Sequence, residues 1–174
     1  EPGPLRKAVT KLLPFGSGAI AVKGHNDLLA YLAKCCSPVP GEPIVGYITR
    51  GRGVSVHSAE CPNVKNLLYN PEREIEVEWS RQSDEVFPVV LVIHTEDKPG
   101  MLAKLTEVMS KQSINIRHFE AESTESGRGL IEVVVEVENR RHLERLSQSI
   151  LSIPGVLDVG RRPGHGSRND RAAG

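Results

Sequence analysis

Apolar and polar positions alternate in two different periods along this chain, and the switches between them mark its elements. Ala19–Lys23 reads as a short strand closed by Gly24. Leu28, Leu29 and Leu32 then suggest a helical stripe running to Cys35, with Asn26 as its N-cap and Asp27 favoured at its positive end. Pro38-Val39-Pro40-Gly41 forbids its continuation. Ile44–Thr49 and Val54–His57 flank Arg50-Gly51-Arg52-Gly53 as the two arms of a β-hairpin. Cys61-Pro62 opens a short helix, with proline at the first helical position where its missing N–H is not needed. Ile75, Val77 and Trp79 alternate with Glu74, Glu76 and Glu78, the pattern of a strand with one buried and one wet face.

A second block begins near Val86. Phe87–Ile93 is almost continuously apolar, as for a strand covered on both faces. Asp97-Lys98-Pro99-Gly100 turns into a helix carrying Leu102, Leu105 and Met109. Ile114–Ala121 reads as a strand, Ser123–Arg128 as a polar hairpin connection, and Ile131, Val133, Val135 and Val137 as the inward positions of the next strand. Asn139 caps a second helix with Leu143, Leu146 and Ile150 inside, and Pro154-Gly155 turns into a last strand, Val156–Val159. The order βαββαβ implies both helices on one face of a four-stranded sheet. The fold class is α+β: a small α/β domain over residues 19–80, then a ferredoxin-like domain over 81–162. Residues 1–18 are rich in Pro and Gly and read as a linker, with one helical turn around Arg6–Leu13; residues 163–174 read as a disordered tail.

Composition narrows the function classes. Of 174 residues, 39% are hydrophobic and 25% charged, the range of a folded water-soluble chain. No apolar run approaches the roughly 20 residues that span a bilayer. The chain starts at Glu1 with no secretory signal pattern, so it is expected to be a piece of something longer. Three cysteines, two adjacent, make no disulfide framework and suggest a reducing cytosol. Net charge is zero but uneven: +4 over residues 1–70, −7 over 71–160 and +3 over 161–174. The first part suits a polyanion better than the second.

Cys35-Cys36, then twenty residues, His57, three residues and Cys61 form the sharpest constellation. Thiolate and imidazole are the ligands zinc prefers, and four of them close a tetrahedral site. Adjacent cysteines reach one ion only at a bend, which the Pro-rich break after Cys36 is placed to supply. Placing Cys35 and Cys36 at a helix C-terminus favours their protonated form without a cation, whereas Cys61 at a helix N-terminus favours thiolate. From spacing alone two readings stand: a metal centre, or structural thiols with His57 on a hairpin surface. Four closed ligands leave no catalytic position, and no GxSxG, P-loop or HExxH motif occurs. Arg50 and Arg52 at a Gly-rich tip, with Lys34, are candidate phosphate contacts; a plain solvated turn is the alternative. The few aromatic residues fit core positions, so no base-stacking platform is indicated. In the Asp97–Leu102 segment, Gly100 lets the chain approach a ligand and the helix start offers N–H groups to a carboxylate; an ordinary turn is again the alternative.

Leu32-Ala33-Lys34-Cys35-Cys36-Ser37-Pro38-Val39-Pro40-Gly41, together with Gly46-Tyr47-Ile48-Thr49-Arg50-Gly51-Arg52-Gly53-Val54-Ser55-Val56-His57 and Cys61-Pro62-Asn63, closely resembles the C-terminal part of RelA/SpoT-type enzymes, which make and hydrolyse (p)ppGpp in the stringent response. The second block resembles the ACT domain that ends those proteins, with an Asp-x-Pro-Gly-x-Leu opening at Asp97–Leu102. The resemblance implies that Cys35, Cys36, His57 and Cys61 are zinc-finger-like ligands for a zinc ion. It implies a regulatory region that senses the ribosome with uncharged tRNA and restrains or releases distant catalytic domains; the expected RNA contacts are Arg50, Arg52 and Lys34, and Asp97, Lys98, Pro99, Gly100, Met101 and Leu102 are the expected site for a branched-chain amino acid. Expected partners are the ribosome with its rRNA and A-site tRNA, the catalytic domains of the same parent chain, and a second copy through the ACT domain; no membrane is expected. Hydrolase and synthetase domains have no counterpart here. Ser58 stands where a basic residue is common, and Glu42 where Asp is usual. A metabolite-sensing ACT dimer and a purely structural oligomerisation module are the other function classes.

Overall fold

A computed structural model describes residues 18–67, 70–80 and 85–162. The expected linker, its helical turn and the expected tail lie outside these residues, as does the 81–84 stretch where the two sequence blocks meet. The chain divides into two compact units, one ending at Glu85 and the other running over Val86–Arg162.

In the first unit, β1 (Ile20–Val22) pairs antiparallel with β6 (Val77–Trp79). A four-stranded sheet holds β2 (Ala30–Leu32), β4 (Gly53–Ser58), β3 (Ile44–Thr49) and β5 (Glu74–Ile75) in that order. β2 runs parallel to β4, while β3 is antiparallel to both β4 and β5. A helix α1 (Pro62–Leu67) follows β4, and a single 3₁₀ turn at Pro71–Arg73 precedes β5. The hairpin and the proline-led helix form where the sequence places them.

Two expectations are corrected here. No helix follows Asn26. Leu28, Ala30 and Leu32 share the even positions of an extended segment, and Ala30 and Leu32 are buried while Leu29 is 73% exposed. An i, i+4 apolar pair is also two steps of period two, and a helix of two turns is marginal by itself. The hydrogen-bonding edge of β4 decides the matter: β2 pairs with it, and Ala33 N–H donates to the Val56 carbonyl at 2.8 Å. The Glu/apolar alternation at 74–79 is real but serves two strands. β5 pairs with β3, the chain breaks at Glu76, and β6 pairs with β1.

The second unit is a βαββαβ domain. β7 (Phe87–Glu96), α2 (Met101–Lys111), β8 (Asn115–Ser123), β9 (Arg128–Val137), α3 (Arg140–Leu151) and β10 (Val156–Arg161) follow one another. The all-antiparallel sheet has the order β10-β7-β9-β8. Leu143, Leu146 and Ile150 are the buried stripe of α3, and Asn139 Oδ1 accepts the His142 N–H at 2.9 Å as its cap. In α2 the buried stripe is Met101, Leu105 and Met109. Leu102, expected inside, is 48% exposed, because positions i, i+4 and i+8 face the sheet. Phe87, Val89, Leu91 and Ile93 of β7 and Ile131, Val133, Val135 and Val137 of β9 are buried and paired in register. On the other face β8 sets Asn115, His118 and Glu120 opposite Glu136, Val134 and Glu132. Arg117 Nη1 reaches Glu136 Oε1 at 2.9 Å there.

Candidate metal centre

Strand β4 is the central strand of its sheet, flanked by β2 and β3. Its period of two puts Ser55 and His57 on one face, opposite Tyr47 and Val45 of β3. Tyr47, Cys61 and Val64 form a buried cluster over that face, with Cys35, Cys36 and Val45 packed against it. The Tyr47 and His57 rings meet edge to face, their centroids 6.2 Å apart.

The two adjacent cysteines arrive on a tight turn. Ser37 N–H closes back on the Ala33 carbonyl at 2.9 Å, and Ser37 adopts a left-handed φ of 44°. The bend that lets both sulfurs face inward is therefore this turn through Lys34–Cys36, ahead of the prolines rather than at them. Glu42 then fixes the loop: its carboxylate accepts the Val39 N–H at 2.9 Å and its carbonyl accepts the Trp79 indole N–H at 2.9 Å. The glutamate thus closes a turn through its side chain. Cys61 comes from the other side, where its N–H donates to the Ser58 carbonyl at 3.0 Å just before α1.

Four ligand atoms converge, all within 4.8 Å of one another. Cys35 Sγ lies 3.4 Å from His57 Nδ1, 3.5 Å from Cys61 Sγ and 4.0 Å from Cys36 Sγ. Cys36 Sγ lies 3.9 Å from His57 Nδ1. Zinc at its ordinary bond lengths, about 2.3 Å to sulfur and about 2.0 Å to nitrogen, gives tetrahedron edges of roughly 3.8 Å between sulfurs and roughly 3.5 Å between sulfur and nitrogen. The four separations given bracket those edges, the other two stay within 4.8 Å, and the donor set is the one zinc takes, so the residues fit the ion. His57 is 7% exposed, which removes the reading of it as a surface residue of a hairpin.

The surroundings supply hydrogen bonds to the sulfurs. Ser58 N–H donates to Cys36 Sγ at 3.3 Å. The Asn63 side chain bonds Cys35 and its backbone N–H bonds Cys61. The neighbouring Cys36 thiol holds the Cys35 thiol well below the usual range against the opposing effect of burial, and His57 and Asn63 add to it. The same Cys35 contact, with burial, pushes Cys36 well up, and burial pushes Cys61 up. The expectation of a protonated thiol is corrected at Cys35, which no helix precedes, while Cys36 is pushed up as expected but by Cys35 and burial; at Cys61 burial pushes the thiol up where the short α1 was expected to favour thiolate. Sequence reasoning assigns Ser55, Ser58 and Asn63 no part in this centre. Serine and asparagine are too common to signal a role, although the i, i+2 spacing of Ser55 and His57 already places them side by side on a strand.

The other candidate residues fall in separate places. Arg50 and Arg52 are exposed at the β3–β4 tip. Arg73 joins them from outside the predicted set, its Nε donating to the Ile48 carbonyl at 2.8 Å. Lys34 is exposed at the opposite end of that sheet, past the Leu32↔Val56 pairing and beside the cysteines. Asp97, Lys98, Pro99, Gly100, Met101 and Leu102 line one open cleft of about 760 Å³ in the second unit. Gly100 has φ +83° there and nothing within 4 Å of where a Cβ would stand, so the backbone is bare toward the cleft. Lys98 is ion-paired with Glu96. No helix among the described residues is long and apolar enough to cross a membrane.

Residues 20–80 match the family described as the RelA/SpoT RIS domain, and residues 83–161 match the ACT domain family. A GTP pyrophosphokinase of Streptomyces antibioticus is 37% identical over 140 residues, 80% of this chain and 17% of that protein. A GTP pyrophosphokinase of Myxococcus xanthus is 38% identical over 142 residues, 82% of this chain and 18% of that protein. The bifunctional (p)ppGpp synthase/hydrolase RelA of Mycobacterium tuberculosis is 34% identical over 140 residues, 80% of this chain and 19% of that protein. The chain thus spans less than a fifth of the length of each of these relatives. A crystal structure of the ACT domain from the GTP pyrophosphokinase of Chlorobium tepidum is 29% identical, with a TM-score of 0.41, over 45% of this chain and 100% of that one.

Proposed function

Because the chain belongs to the RelA/SpoT family, carrying its RIS domain and then an ACT domain, we propose that it is the C-terminal regulatory region of a (p)ppGpp enzyme. The parent is a GTP diphosphokinase, a ppGpp hydrolase or both. In this reading Cys35, Cys36, His57 and Cys61 hold one zinc ion. With four protein ligands the ion is structural: it ties the Lys34–Cys36 turn, β4 and the start of α1 together. The braced hairpin then presents Arg50 and Arg52 to phosphates of rRNA and A-site tRNA in the cytoplasm, and ribosome engagement is passed to catalytic domains elsewhere in the parent.

The observation that carries this reading is the spacing of the four ligand atoms, 3.4–4.0 Å along the four edges measured. Its test is ribosome binding by the zinc-loaded chain across a salt series. Each phosphate contact steepens the salt dependence by roughly 0.7–0.9 in log–log slope, so Arg50→Ala with Arg52→Ala is expected to flatten it by between one and two. Absent binding, or binding that ignores both salt and these substitutions, overturns the reading.

The cleft of the second unit favours a second, compatible reading, a branched-chain amino acid bound by Asp97–Leu102 in an ACT homodimer. The free amino acid's carboxylate would meet the bare backbone at Gly100 and the start of α2. Calorimetry with valine or leucine is expected to show saturable heat that Gly100→Val abolishes, and no heat at millimolar ligand ends this reading. If both tests fail while sedimentation shows a dimer, the chain is an oligomerisation module.

A further inference from the structure

A neutral imidazole has one lone pair and one N–H, so a histidine facing a metal must be told which nitrogen to offer. In this chain the ring of His57 is held at both ends. Nδ1 faces the sulfurs, 3.4 Å from Cys35 and 3.9 Å from Cys36. Nε2 points the other way, to Ser55 Oγ at 3.1 Å, and among the described residues this hydroxyl is its one partner. Ser55 is 9% exposed and His57 7%, so water does not compete freely for either end.

Resting on the zinc reading above, we propose that Ser55 is the positioning residue of this centre, the group that makes His57 ligate through Nδ1 and not Nε2. The hydroxyl oxygen accepts the Nε2–H, which leaves the Nδ1 lone pair free toward the three sulfurs. Were Nδ1 protonated instead, its N–H would occupy the position the ion needs. The serine can do this because its own place is fixed. It sits in the middle of the central strand, paired with Tyr47 on one side and Tyr31 on the other. Two residues on, His57 projects from the same face of that strand. The hydrogen bond therefore spans a rigid i, i+2 step, and the ring has little freedom to turn its other nitrogen inward. Outer partners of this kind fix both tautomer and ring orientation at metal-bound histidines. Ser58 and Asn63, which bond the sulfurs, cannot exert this choice, because a thiolate offers only one ligand atom.

The test uses the whole chain loaded with zinc, with Ser55→Ala and Ser55→Thr as variants. Long-range ¹H–¹⁵N correlation on the wild type is expected to show His57 protonated at Nε2 and metal-bound at Nδ1. Competition against a chromophoric chelator is expected to give a zinc affinity about 10–100-fold weaker for Ser55→Ala. Ser55→Thr, which keeps the hydroxyl, is expected to stay within a few-fold of wild type. The cobalt-substituted alanine variant is expected to show a shifted visible spectrum, which a general loss of packing leaves in place. Zinc on Nε2 in the wild type, or an alanine variant within twofold of wild type with unchanged His57 signals, overturns the role of Ser55 while leaving the zinc site standing. A wild type that takes no zinc overturns both.

Discussion

At the tip of the β3–β4 hairpin, the residue that cannot change is a glycine rather than an arginine. A Cβ at Gly53 would stand 2.1 Å from the Leu29 carbonyl oxygen, and its φ of +84° is already unfavourable for any other residue. That carbonyl accepts the Val54 N–H at 2.8 Å, so it cannot move away without releasing β2. Gly51 has a φ of +76° but open space around it. Gly53→Ala is therefore expected to cost about 1–3 kcal/mol in denaturant unfolding, and Gly51→Ala clearly less. Equal costs would remove the steric argument and leave backbone strain alone. Tyr47 offers a second test at this scale. Its buried hydroxyl has no hydrogen-bond partner among the described residues. Tyr47→Phe is expected to be neutral or stabilising by up to about 1 kcal/mol, and a loss of more than that would mean the hydroxyl has a partner. Single residues of rare type were legible in the sequence: three cysteines and one histidine drew notice by chemistry alone. Ser55 did not, because serine is too common to signal a role and its part rests on the approach of its hydroxyl to the His57 ring.

Among the elements, those with long, unmixed patterns are the ones the sequence reveals. The buried positions of α3, its Asn139 cap and the inward valines of β9 all follow from period and capping rules. Asn139→Ala is expected to cost about 1 kcal/mol, since it leaves the His142 N–H without its acceptor. Leu146→Ala, fully buried, is expected to cost about 2–5 kcal/mol. Denaturant midpoints for the two variants check the order. The failures lie in the short pieces. Leu28 and Leu32, four apart, satisfy a helix and a strand equally, and only the unpaired edge of β4 breaks the tie. The run from Glu74 to Trp79 keeps its alternation but changes partners at Glu76, which no local pattern records. In α2, choosing Leu102 over Met101 shifts the stripe by one residue; leucine is the commoner core residue, but the helix phase set by Gly100 puts methionine inward.

The molecule as a whole joins two units with unlike sources of stability. The second unit closes a broad core between two helices and a four-stranded sheet. The first has a smaller one, and the face that bears Ser55 and His57 is covered largely by the cysteines themselves. Where ligands double as core, metal binding and folding are one equilibrium. Chelation is therefore expected to lower the melting of the first unit strongly and leave the second unit's unchanged, seen in hydrogen exchange as a loss of amide protection confined to the first unit. Equal protection with and without chelator would make the ion incidental to the fold.

The measurement that bears most directly on the central claim is X-ray absorption at the zinc edge of the purified, reconstituted chain, with metal content determined on the same sample. One zinc per chain, with three sulfurs at about 2.3 Å and one nitrogen at about 2.0 Å, is the predicted result. Substoichiometric metal, or a shell of oxygens and nitrogens without sulfur, would contradict it.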